Sequence, residues 1–365
     1  MNKTKEYLVI VIVLFLGFYN GISQTVPEKK ERLSLAFVGD FMGHLDQIKA
    51  AYNPKENSYN YDACFKYVQP ILSDADIAIG NLEVTLGTKP YSGYPEFSSP
   101  PAYALAIKNA GIDVLMTANN HSCDKRKKGL EKTIKILDSL QISHTGTFIS
   151  KEEKALNSPL ILVKNGFKLA FLNYTYGTNG IPPTHPNIVN YLDKKTIASD
   201  IATTQLMNPD EIIVFLHWGN QYESFPSKEQ KDWFAYFKRL GVNIIIGAHP
   251  HVLQPMILNE NKLVVYSLGN FISHQRTFPR DGGAILNLEL VKEDGNVKID
   301  NATYLLTWVH EPIINGQKNY FVLPVKDFEN NTSEFLDKSS HSKMIRFANH
   351  ARNLLSKENI NVEGY

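Results

Sequence analysis

The stretch Ile244–Gln254, IIIGAHPHVLQ, constrains this chain more than any other. Its apolar run reads as a buried strand that breaks at Gly247 and at once presents His249 and His251. Side chains alternate along an extended segment, so two imidazoles separated by one residue fall on the same side. A strand end and a glycine turn then hold them rigidly at a sheet edge. Metal sites are built this way, although solvent or backbone can equally satisfy two histidines there. Four further apolar runs end in a potential ligand: LAFVGD at Asp40, IAIGNLE at Glu83, VLMTANNH at Asn120 and His121, and IIVFLHWG at His217. This convergence, more than the histidine pair alone, predicts a metal centre.

At 365 residues with 43% hydrophobic and 11% aromatic content, the chain can bury a core of ordinary size in one large domain, with or without a small appendage. Thirty-eight basic against thirty-seven acidic residues leave a net charge of +1 and no long single-sign run, which argues against nucleic acid as a ligand. The start reads as an export signal over residues 1–23: Lys3 and Lys5, the apolar Tyr7–Tyr19, a polar step at Asn20, and small residues at Gly21 and Ser23. An uncleaved anchor is the alternative, though the run is short for a bilayer. No cysteine follows it to carry a lipid. Cys64 and Cys123 either pair in an oxidising compartment or remain separate thiols.

The rest alternates strand, loop and helix. Leu33–Val38 is a strand that Gly39 and Gly43 turn out of the sheet, followed by strands at Ile77–Gly80 and Val114–Thr117 and helices at Ala102–Ala110 and Gly129–Leu140. Helices at Lys194–Leu206 and from the N-cap Ser227 to Leu240 alternate with strands at Glu211–Leu216, Val242–Ile246 and Leu263–Tyr266. Asn165-Gly166 and Asp294-Gly295 are hairpin turns; the second hairpin either completes the sheet or packs another beneath it. Lys89–Pro101 and TYGTNGIPPTHP are glycine- and proline-rich loops, the first of a length that suits a lid or binding loop. The order predicts a layered α/β domain over residues 33–310 with ligands at the carboxyl ends of strands, and a polar extension over 311–365 with one helix around Met344–Leu355.

Asp, Glu, Asn and His without a thiolate suit Mn²⁺, Fe or Zn²⁺, and six such ligands are too many for one tetrahedral ion but suit two. Other readings stand beside these. Asp40 and Glu83 also suit caps or turns, and His217 before Trp218 also suits a packed strand end. Asn119 reads as a turn former and Asp124 as the partner that orients His121. Tyr174, Tyr176 and Asn179 contact substrate or merely satisfy their loop, and Arg276 and Arg280 after the GNF turn at Asn270 hold a carboxylate or phosphate or lie solvated. His44 and His185 read as bystanders.

GDFMG, NLE, ANNHSCD followed by GL, YTYGTNG, HWG, GAHPHVLQP and YSLGNF, in this order from about Leu33 to about Leu290, resemble the capsule synthesis protein CapA family, linked to poly-γ-glutamate. That family is similar in fold to the calcineurin-like metallophosphatases, which implies a β-sandwich flanked by helices. The resemblance implies metal ligands at Asp40, Glu83, Asn120, His217, His249 and His251, with His121 beside the metals as a donor to the leaving group. Asp124 is expected to be catalytic with His121, and Tyr176, Asn179, Asn270 and Arg276 are expected at the substrate. The resemblance also implies that Asp40 and His251 serve one metal position, that Asn120, His217 and His249 serve the other, and that Glu83 is shared. Four departures are visible. Met42 stands where a metallophosphatase has a histidine, a loss that CapA-like proteins share, and Glu83 after Asn81 where the wider phosphatase pattern has a second aspartate. Arg126 stands where the family tends to glycine, and Gln221 where it often has glutamate. The expected function is an exported hydrolase with one or two divalent ions, acting on a phosphoester or γ-glutamyl amide. The alternative is a non-catalytic protein that binds an anionic polymer such as poly-γ-glutamate within a membrane-bound capsule synthesis complex.

Overall fold

The computed structural model describes residues 30–330, 332–333 and 335–365; the expected export signal lies outside them. Two large sheets face each other. The nine-stranded sheet runs in the order Phe321–Pro324, Asn296–His310, Gly282–Glu293, Glu31–Phe41, Ile77–Leu82, Val114–Met116, Ser143–Thr145, with two short strands pairing off this path. The six-stranded sheet runs Leu160–Lys164, Phe167–Thr175, Glu211–His217, Ile244–Ala248, Lys262–Leu268, Leu253–Asn259. The strands from Glu31 through Thr145 pair in parallel, as do those from Phe167 through Leu268, save the antiparallel Leu253–Asn259 return.

Strand alternation builds the layers. Leu33, Leu35, Phe37, Ile77 and Ile79 point into the space between the sheets, where they meet Leu169, Phe171, Ile213, Phe215, Ile244 and Ile246. Their neighbours face outward: Ala36, Val38 and Ala78 pack under the helix Pro101–Asn109 through Tyr103 and Ile107. On the other flank Leu172, Val214 and Ile245 pack under Ile197 and Ile201 of Lys194–Leu206 and Trp233 and Phe237 of Lys228–Arg239. Strands buried on both faces need apolar residues at every position, which is why these runs read as continuous rather than alternating. The result is a mixed α/β sandwich of two sheets flanked by helices.

The hairpin over Asp294-Gly295 completes the nine-stranded sheet, with Gly282–Glu293 antiparallel to Glu31–Phe41. Asn165 (φ 48) with Gly166 (φ 82), and Asp294 (φ 51) with Gly295 (φ 78), adopt the left-handed pairs such tight turns require. Ser227 accepts a hydrogen bond from the Gln230 N–H, capping its helix as its residue type predicts. The C-terminal helix is longer than expected, Lys338–Glu358, and its Met344, Phe347, Ala351 and Leu355 belong to the layer between the sheets. Cys64 and Cys123 are separate buried thiols.

Two turn expectations are corrected. Gly39 does not end its strand: the chain continues to Phe41, and Asp40 pairs with Asn270 of Asn270–Ile272, which crosses over from Lys262–Leu268 and stitches the sheets together. A Cβ on Gly39 would lie 1.9 Å from the Gly269 carbonyl oxygen, so this crossing requires glycine. Nor does Gly247 break the strand Ile244–Ala248. The Trp218 indole crosses over it to donate to the Tyr266 carbonyl at 2.9 Å, and a Cβ there would meet that oxygen at 2.1 Å.

Candidate metal centre

The two parallel sets of strands bring their carboxyl ends to one edge of the sandwich. Asp40 is the penultimate residue of Glu31–Phe41, Glu83 follows Ile77–Leu82, and His217 ends Glu211–His217. His249 and His251 follow Ile244–Ala248, but strand alternation does not place them side by side. Both lie beyond the strand with positive φ, 102° and 58°, so a strained turn around Pro250 aims their rings. Such backbone is costly for histidine and persists only where the surroundings enforce it.

All five side chains are buried. Their donor atoms form two groups that share Glu83: Asp40, Glu83 and His217, and Glu83, His249 and His251, each with its atoms within 4.8 Å of one another. Asp40 Oδ2 also lies 3.2 Å from His251 Nδ1, but the two groups place Asp40 with His217 and His249 with His251, which cuts across the division into positions that the resemblance implies. Asn120 joins through its amide oxygen, 2.7 Å from His217 Nε2.

The electrostatics fit a cation. Neither oxygen of the Glu83 carboxylate, nor Nδ1 of His249, has a hydrogen-bond partner among the described residues. Burial, then the neighbouring Asp40 charge, pushes the Glu83 carboxyl well above its ordinary range. Burial also drives His217 and His249 well below the usual imidazole value, and the adjoining imidazoles add to the shift. A fully buried carboxylate without a donor and a set of neutral imidazoles form a costly arrangement alone and a suitable shell for a divalent ion. The donors also match the hard and borderline set that Mn²⁺, Fe or Zn²⁺ accept.

Asn81 positions this array, and its role is not apparent in the sequence. Its Nδ2 donates to Asp40 Oδ1 at 2.7 Å and lies 3.2 Å from His217 Nδ1. Two residues before Glu83 on an extended chain, it shares that residue's face; this spacing in NLE is the signal available. Asn119 forms its turn as expected: its side chain donates to the Leu82 carbonyl at 2.7 Å and accepts from the His121 N–H at 3.0 Å.

Above the donors opens a cleft of about 860 Å³ lined in part by Met42, His121, Tyr176, Asn179, His249 and His251. His121 Nδ1 lies 2.7 Å from Asp124 Oδ2, which also accepts the Phe97 N–H at 2.6 Å. Burial raises the Asp124 carboxyl, and the bond to His121 opposes that shift. Phe97, from the Lys89–Pro101 loop, packs edge-on against His121 with ring centres 4.6 Å apart. Tyr176 covers His249, ring centres 4.6 Å apart, and Asn179 Oδ1 accepts from Asn120 Nδ2 at 3.4 Å. The other two residues expected at the substrate are engaged elsewhere. Asn270 Oδ1 lies 3.0 Å from His251 Nδ1 and so orients that ring. Arg276 lies 3.4 Å from Glu311 and stacks on Trp308. Gln221 lines the cleft, and Arg126 adopts a left-handed φ of 55°, the conformation that glycine takes without strain.

The chain is similar to several known proteins. Residues 34–275 match the family described as bacterial capsule synthesis protein PGA_cap. The chain is similar to the capsule biosynthesis protein CapA of Bacillus anthracis, 27% identical over 80% of this chain and 73% of that protein. It is also similar to the PGA biosynthesis protein CapA of Bacillus subtilis, 26% identical over 80% of this chain and 78% of the other. Among solved structures, the calcineurin-like phosphoesterase YfkN from Bacillus subtilis aligns with a TM-score of 0.42 and 13% identity, covering 89% of this chain and 98% of that one. The matched span takes in Asp40, Glu83, Asn120, His217, His249 and His251, and covers more than half of the sequence: the chain belongs to the bacterial capsule synthesis protein PGA_cap family.

Proposed function

We propose that this protein is an exported, metal-dependent hydrolase that cleaves a phosphoester or a γ-glutamyl amide in an anionic polymer or a small substrate derived from one. The observation that carries the reading is Glu83: a buried carboxylate without a hydrogen-bond partner among the described residues, common to both donor groups, beneath an open cleft. Divalent ions held there would polarise the oxygen of the scissile bond and make a water acidic enough to attack at neutral pH. The chain's own residues do the rest. Asn81 and Asn270 fix the orientation of Asp40, His217 and His251. Asp124 holds His121 through Nδ1, which leaves Nε2 to give a proton to the departing group. Tyr176 and Asn179 shield the donors and border the bound substrate.

Export rests on the apolar segment Tyr7–Tyr19 with its basic start, and among the described residues no helix is long and apolar enough to cross a membrane. The capsule and PGA biosynthesis names of the Bacillus relatives support a capsule polymer such as poly-γ-glutamate as substrate; the setting proposed with it is a membrane-bound capsule synthesis complex. A panel of chromogenic phosphoesters and γ-glutamyl oligomers, assayed with Mn²⁺, Fe²⁺ or Zn²⁺, tests the reading. Turnover in the wild type that His249→Ala abolishes is the expected result.

One observation favours a second reading. Met42 lines the cleft where related phosphatases supply a ligand, and a thioether is a poor partner for a hard cation. On that reading the site retains an anionic polymer without cleaving it. Polymer binding that requires metal but yields no product from any substrate on the panel would establish it over hydrolysis.

A further inference from the structure

The cleft contains an imidazole that the donor groups do not use. His44 lines it together with Met42, Phe97, His121, His249 and His251. It is half-buried, and its surroundings are too specific for a bystander. Its Nδ1 lies 3.2 Å from the backbone N–H of His274, a group that can only donate. Nδ1 also lies 3.1 Å from Gln47 Oε1, but that oxygen already accepts the His44 N–H at 2.9 Å, while Gln47 Nε2 donates to the Met42 carbonyl at 3.1 Å. The obligate donor decides the tautomer: Nδ1 accepts, and the proton sits on Nε2. Nε2 has no hydrogen-bond partner among the described residues.

Phe97 fixes where the ring stands. Its edge packs against His44 with ring centres 5.2 Å apart, and against His121 with ring centres 4.6 Å apart, at interplanar angles of 83° and 87°. Its backbone N–H is held by Asp124 at 2.6 Å, so one phenylalanine sets both imidazoles relative to the His121–Asp124 pair. Burial holds the His44 pKa down at about 4, so the ring is a neutral donor at physiological pH.

We propose that His44 is a substrate-binding residue whose Nε2–H donates to an anionic oxygen of the substrate, phosphoryl or carboxylate, lying in the cleft above the metal donors. This rests on the hydrolase reading given above. A neutral N–H donor pairs with an oxyanion and not with another donor, and it adds no second positive charge to compete with the bound ions.

The test uses the metal-loaded protein and two probes, inorganic phosphate and γ-glutamylglutamate, titrated calorimetrically against the wild type, His44→Ala and His44→Gln. His44→Ala should weaken at least one probe about ten- to hundredfold, the value of a hydrogen bond to a charged group, and the weakened probe identifies the acceptor. His44→Gln, which keeps an N–H near the ε position, should recover part of that loss. Bound metal, measured on the same samples, should equal that of the wild type in both variants. Nitrogen-15 correlation spectra of the wild type should show the proton of His44 on Nε2. Unchanged affinity for both probes in His44→Ala, or a proton on Nδ1, overturns the assignment of His44 while wild-type turnover still stands. A metal-loaded wild type that binds neither probe overturns this proposal and the hydrolase reading together.

Discussion

Two buried glutamates are pushed the same way for different ends. Glu83 is raised by burial and by Asp40 at the point where a cation belongs. Glu211, at the opposite end of the strand that delivers His217, is raised by burial to about 7, against a partial compensation from Asn243. A raised carboxyl leaves folding strongest below the unfolded value of 4.5, and that stability is lost as pH rises through about 7. Glu211→Gln should therefore stabilise the protein at pH 8, by up to roughly 3 kcal/mol, and have little effect near pH 4; denaturant titrations at the two pH values check it. At this scale the sequence discloses residues that end apolar runs, because an Asp or His in such a place has few structural reasons to be there. It does not disclose Asn81, Phe97 or His44. Their roles arise from partners 27 to 230 positions away, such as Asp124, Asp40, His217 and the His274 amide, and no local pattern encodes those contacts.

At the scale of elements, the strands are legible because strands buried on both faces must be apolar throughout, and the hairpins because Asn-Gly and Asp-Gly supply the left-handed backbone they need. What misleads is glycine. Gly39 and Gly247 look like strand breakers, yet both lie inside strands at places where another part of the chain comes too close for a Cβ. Close approach and chain reversal call for the same residue, so sequence alone does not separate them. This gives a prediction for the strand that carries the histidine pair. Gly247→Ala forces a methyl against the Tyr266 carbonyl oxygen and the Trp218 indole. It should cost about 2 kcal/mol of unfolding free energy with metal removed, and lower bound metal as well by shifting His249 two residues on. A variant that unfolds at the same urea concentration as the wild type would show that the strands part freely at this point.

Across the whole molecule, the centre sits where the two sheets meet: Asp40 and Glu83 come from one, His217, His249 and His251 from the other, and Asn270 from the crossing strand. An ion held by both sheets binds the folded state alone, so metal should raise stability by about 2.7 kcal/mol when free ion stands at about a hundred times its Kd. Chelated protein should melt several degrees below the Mn²⁺-supplemented protein, and equal melting temperatures would mean that no ion bridges the sheets. The most direct measurement is anomalous diffraction from crystals grown with Mn²⁺, compared between the wild type and Glu83→Gln. One or two anomalous peaks are expected beside Glu83 at about 2.0–2.2 Å from its carboxylate oxygens, with a loss of peak height in the variant. A wild-type map without a peak at Glu83, His249 and His251 would contradict that expectation.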